Sequence, residues 1–140
     1  MFRFCCAALT LALLSLGLNA CKKTPGAEQA HRLLVGKWRL VVKSDCEKWG
    51  VESDTLVLHS DGRMEQHLNL LNGKKYDSMQ GHWEYLPDHS ISLDRRLTVS
   101  DPQSAGVPQL QVLILEFTDP PAIVLNPSEN CFYERFSSDE

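Results

Sequence analysis

The stretch Thr55–Leu70, TLVLHSDGRMEQHLNL, decides the fold. Leu56 and Leu58 alternate with polar neighbours before Ser60-Asp61-Gly62; Met64, Leu68 and Leu70 share a parity after it, with Gln66 among them. Alternation of period two on both sides of a Gly-containing tripeptide is a β-hairpin signal. A three-residue loop with Gly in the left-handed position sets Leu58 opposite Met64, so both apolar stripes face the same way. A two-residue Asp-Gly loop would instead oppose Leu58 to Glu65. A slip of one residue exchanges the two faces of a strand, so one apolar face would then meet water. The longer loop is expected.

The same pattern extends outward along the chain. Lys37–Lys43 carries Trp38, Leu40 and Val42 on one face; Met79–Leu86 carries Gly81, Trp83 and Tyr85; a segment from His89 carries Ile91 and Leu93. Gln109–Phe117, Ala122–Leu125 and Asn130–Phe136 follow, and Asn72-Gly73, Pro87-Asp88, residues 100–106 and Asp119-Pro120-Pro121 supply the breaks. Antiparallel strands accept such short connections, whereas parallel ones need long crossovers. The expectation is an all-β fold: an eight-stranded up-and-down antiparallel barrel or a strongly curved meander, with a short helical turn over Ala27–Leu34. The inward set would be Trp38, Leu40, Leu58, Met64, Leu68, Trp83, Tyr85, Ile91 and Leu93.

The N-terminus carries an address. Arg3 precedes an uncharged run from Phe4 to Leu18, and Leu18-Asn19-Ala20-Cys21 follows. This is the layout of a secretory leader, and the run is shorter than the roughly 20 apolar residues of a membrane span. The last four residues resemble a bacterial lipobox, which implies cleavage before Cys21 and lipidation of its thiol and new amino group. Two or more acyl chains hold a protein durably on a membrane, where one binds only marginally. Lys22 at the next position points to the outer membrane, facing the periplasm. The expected organisation is a leader over 1–20, a lipidated tether and helical turn over 21–34, one barrel domain over 35–136 and a loose tail over 137–140.

Of the five cysteines, Cys5 and Cys6 leave with the leader and Cys21 takes the lipid. Cys46 and Cys131 remain, and an even pair in an oxidising compartment is expected to form a disulfide. Against 14 basic residues stand 18 acidic ones, and the leader removes only Arg3. Nucleic acid, which selects a basic face, is excluded as a partner.

Gly36-Lys37-Trp38, opening the first strand just after a helical turn, resembles the start of a lipocalin or related calycin barrel. An Asp-Gly turn after the next strand and a second Gly-x-Trp at Gly81–Trp83 extend the likeness loosely over 35–136. In that family the Trp plugs the closed end and an Arg late in the last strand packs across it. The resemblance thus implies a barrel-closing pair, Trp38 and Arg135, and an interior site for a small apolar ligand. Leu58, Met64, Gln66, Trp83 and Tyr85 would be its lining. The chain also resembles small lipocalin-like outer-membrane lipoproteins, including the N-terminal domain of copper-resistance stress lipoproteins. Those carry Cys-x-x-Cys after the first strand; here that loop reads Cys46-Glu47-Lys48-Trp49, so no metal site is implied.

No nucleophile elbow, zinc-protease helix, phosphate loop or dinucleotide fingerprint occurs. His31, His59, His67, His82 and His89 do not converge in the expected register, and the acids fall on turns and strand exteriors, with Glu116 set in an apolar strand. A non-enzymatic protein without cofactor or metal is expected. Two readings stay open: a binding module for a small apolar ligand or envelope component, and a filled barrel that docks a partner protein. The second draws on Gln109–Phe117, whose two faces are both apolar. Leu110, Val112 and Ile114 share one face; Leu113, Leu115 and Phe117 share the other. An outward apolar face needs a cover, either the helical turn, through Ala27, Ala30, Leu33 and Leu34, or a partner.

Overall fold

In the computed structural model of the chain, the Ser60–Gly62 loop closes as its register requires. The His59 amide donates to the Arg63 carbonyl at 2.9 Å, Gly62 sits at φ 85°, and Leu58 pairs with Met64. The structure describes residues 25–41, 47–98 and 105–136.

Eight strands follow in chain order: β1 (Gly36–Val41), β2 (Val51–Leu58), β3 (Arg63–Leu70), β4 (Lys75–Leu86), β5 (Ser90–Leu97), β6 (Pro108–Glu116), β7 (Ala122–Asn126) and β8 (Cys131–Phe136). Each pairs antiparallel with the next, and β8 returns to β1, so the sheet is a closed up-and-down barrel. Closure leaves no unpaired strand edge to template aggregation. The main sequence-level differences are at strand starts. β2 begins at Val51 and β4 at Lys75, each four residues before the expected start. Polar residues there hide the alternation.

Four bulges bend these strands, one of them in β7, where Val124↔Phe132 is followed by Asn126↔Cys131. Glu52 is the extra residue of β2, between Val51↔Leu70 and Ser53↔Asn69. In β4, Met64↔Gly81 is followed by Gln66↔Ser78, and in β5, Leu93↔Gln111 is followed by Arg96↔Gln109. An inserted residue breaks the ladder and sharpens local twist.

The interior is packed solid along much of its length. Trp38, Leu56, Leu58, Met64, Leu68, Ile91, Leu93, Ile123 and Tyr133 are all fully buried. The helix α1 (Ala27–Leu34) closes the end where β1 starts, burying Ala30 and Leu34. Trp38 Nε1 donates to the Leu34 carbonyl at 2.8 Å, and the His31 ring stacks on Trp83 with centroids 4.7 Å apart. The helix therefore plugs an end of the barrel; it does not cover the outer face of β6, one of the two covers considered for it. Leu110, Val112 and Ile114 remain 67%, 57% and 55% exposed.

Candidate functional site

A buried polar cluster crosses the barrel between four strands. Asp54 comes from β2, Gln66 from β3, Arg96 from β5 and Tyr133 from β8, and none is more than 1% exposed. Gln66 Nε2 donates to both carboxylate oxygens of Asp54, at 2.9 and 3.1 Å, while its Oε1 accepts the Leu97 amide at 2.6 Å. The Tyr133 hydroxyl donates to Asp54 Oδ2 at 2.5 Å and accepts from Arg96 Nη2. Arg96 Nη1 donates to Gln111 Oε1 on β6 at 2.5 Å, and the guanidinium lies 3.7 Å from the Asp54 carboxylate. Arg96 Nε has no hydrogen-bond partner among the described residues.

The β5 bulge builds this site. It leaves Asp94 and Arg95 both exposed, with Arg95 in the left-handed conformation at φ 60°, and turns Arg96 inward. Strict alternation from Leu93 would send Arg95 into the core instead. Ser78 Oγ holds the bulged backbone by donating to the Arg95 carbonyl at 3.0 Å.

Electrostatically the cluster is a compensated pair. Burial pushes the Asp54 carboxyl above its usual range; Arg96, Tyr133 and Gln66 pull it back in that order. Burial also raises the Tyr133 hydroxyl well above an ordinary phenol, so it stays a neutral donor between the two charges. An uncompensated buried charge is costly, and excellent geometry with further hydrogen bonds is what repays it. The arrangement suits holding strands in register. The expectation that acids occupy only turns and exteriors fails at Asp54, whereas Glu116 is exposed.

The other sequence-derived candidates separate into groups. Arg135 stands directly opposite Trp38 and lies over Gly36, where a Cβ would come within 3.1 Å of its Nε. That contact and a φ of 142° explain why a glycine precedes Lys37-Trp38. Arg135 also donates to the Leu33 carbonyl, at 3.4 Å. Leu58 and Met64 are fully buried, and Gln66 spends its polar atoms on Asp54 and Leu97. Trp83 is buried with its Nε1 bonded to the His59 carbonyl at 2.8 Å, and Tyr85 is half-buried with its hydroxyl 2.8 Å from His89 Nδ1. The five are thus brought to one barrel, but Trp83 and Tyr85 border an open groove beside His31 and Gly62.

His59 bonds Glu65 and His67 bonds Asp77, at 2.8 and 2.7 Å, and no group of three metal-type side chains occurs among the described residues. Cys21 and Cys46 lie outside the described residues. Cys131 is fully buried at the start of β8. Compared with known proteins, the chain matches no family model, no curated protein and no solved structure.

Proposed function

We propose that this chain is a lipid-anchored bacterial envelope protein with a non-enzymatic role, related to the small lipocalin-like lipoproteins. It works as an interaction module with a filled barrel, docking an envelope component through the outer face of β6 and β7. The observation that carries this reading is a reversal of the usual arrangement. The barrel axis is occupied by tryptophan, leucine and a compensated Asp–Arg pair, while Leu110, Val112 and Ile114 stand in solvent. Apolar patches that persist on a surface mark interaction sites more often than chance placement does. An interior ligand would have to displace side chains that already fill one another's contacts. The lipid on Cys21 places the module in the outer membrane facing the periplasm. A Cys46–Cys131 bond belongs to the same reading, because Val41, five residues before Cys46 in the sequence, pairs with Phe132, the neighbour of Cys131.

Two variants test it. Cys21→Ser is expected to lose labelled palmitate and membrane fractionation. Val112→Asp in the purified domain is expected to keep the wild-type thermal midpoint, since the residue is exposed. A large drop in that midpoint would make the stripe part of the core. A small apolar molecule bound one per chain in native mass spectrometry would replace the filled-barrel reading with the ligand-binding one.

A further inference from the structure

The outer stripe of β6 continues into its neighbours, partly exposed at Ser92, Phe132 and Val41 and buried at Val124. Val112 pairs with Ser92, Ile114 with Val124, Val124 with Phe132, and Phe132 with Val41. Directly opposed residues on paired strands share a face. Ser92, Val112, Ile114, Val124, Phe132 and Val41 therefore make one uncharged belt around the outside, from β5 across β6, β7 and β8 to β1. Charge returns at its margins, with exposed Glu116 and the Arg39–Glu134 ion pair toward the α1 end and Asp94 on the other side.

The tether joins the barrel at the same corner. Pro25, Gln29 and Leu33 border one groove with Phe117, Thr118 and Pro121 of the β6–β7 connection. Four residues take the chain from Pro25 back to Cys21, a reach of at most about 14 Å at ~3.5 Å per residue. Ile114 lies two residues from the end of β6, about 7 Å along the strand. A bilayer holding the lipid of Cys21 is thus within reach of this flank. Tethering raises the effective concentration of the two surfaces so far that even a weak contact is occupied. Exposed Val112 and Ile114, flanked by the partly exposed, uncharged Ser92, Phe132 and Val41 and by the buried Val124, suit the boundary between headgroups and acyl chains.

We infer that the outer belt of β6–β7–β8 rests on the phospholipid bilayer that anchors Cys21, so that the barrel lies on this flank and its β2–β3 side faces the aqueous space. The inference rests on the lipidation reading and deepens the proposed docking role: the component docked is the membrane itself.

The test uses full-length lipoprotein, its acyl chains verified by intact mass, in vesicles of phosphatidylethanolamine and phosphatidylglycerol. An environment-sensitive fluorescent amino acid replaces Val112 in one sample and His67, on the outer face of β3, in another. Both sites are on the surface, and thermal melts confirm folding. Blue-shifted emission and quenching by doxyl-labelled lipid at 112, with neither at 67, is the expected result. Equal wetness at both sites in vesicle-bound protein overturns the membrane contact and leaves lipidation standing. A dry probe at 112 in detergent-free protein without vesicles, together with dimeric mass, gives the flank to a second copy instead. An intact mass without acyl chains removes the lipidation reading, and this inference with it.

Discussion

Replacing Arg96 with Met should show what the interior pair contributes. The substitution keeps an unbranched side chain of comparable reach and removes the guanidinium. Asp54, 1% exposed, then faces its carboxylate with hydrogen bonds from Tyr133 and Gln66 but no countercharge. Stripping one partner from a buried ion pair costs about 3–5 kcal/mol, a large share of the roughly 5–15 kcal/mol that holds a domain folded. The sign with pH follows from Asp54. Its folded-state carboxyl is already raised by burial, and Arg96 is the largest influence holding it down. Without Arg96 it rises further, so the folded state binds a proton that the unfolded chain, near pKa 3.9, releases. Stability of the variant is therefore present at low pH and lost as pH climbs through the folded value, at up to about 1.4 kcal/mol per pH unit. The assay is urea unfolding of the unlipidated domain, followed by the fluorescence of buried Trp38, Trp49 and Trp83 between pH 4 and 8. The double variant Asp54→Asn with Arg96→Met should recover much of the loss, giving a coupling energy of order 1–3 kcal/mol. A single variant within about 1 kcal/mol of wild type at pH 7, or additive losses in the cycle, would refute the account.

Tyr133→Phe removes the bridge between the two charges and should cost about 1–3 kcal/mol by urea unfolding, with the barrel retained by circular dichroism. Gly81→Ala should cost about 1–3 kcal/mol, because the added Cβ would stand 2.5 Å from Met64 Cε and 2.9 Å from the Asp94 carbonyl oxygen. Mass spectrometry of unreduced peptides should recover Cys46 joined to Cys131. Reducing that bond, which closes a loop of about 85 residues, should lower stability by up to ~4 kcal/mol; two free thiols in protein taken from the envelope would refute the pairing.

The parts of this fold legible in the sequence are those where alternation survives intact. The β2–β3 hairpin is read correctly because Leu56, Leu58, Met64 and Leu68 mark one face without interruption and the Asp-Gly turn allows a single register that keeps them together. The helix over Ala27–Leu34 is legible too, though its role is not. Composition suggests a cover for the outside of the sheet, while the aromatic contacts of Trp38 and Trp83 draw it onto the barrel end.

The cation of the polar cluster is hidden by a bulge. A period of two is the only ruler available for a strand, and each inserted residue resets it. Arg96 lies directly after such a reset in β5, whereas Asp54 keeps the parity of Leu56 and Leu58 and is obscured by the polar run Glu52-Ser53-Asp54 that opens β2. In SISLDRRL, unbroken alternation selects Arg95 as the inward residue and makes a buried arginine look like an error of phase. The left-handed backbone at Arg95 swaps the two. Gln66 was the visible clue, a polar residue at an inward position of an otherwise apolar stripe. Buried amides demand partners, and an inward Gln on β3 therefore implies polar groups arriving from elsewhere in the barrel. The nearest polar residues on the neighbouring strand include Asp54, two positions from Leu56, which pairs with Gln66. The identity of the compensating cation, by contrast, depends on the bulge and the left-handed backbone at Arg95, geometry that side-chain pattern alone does not encode.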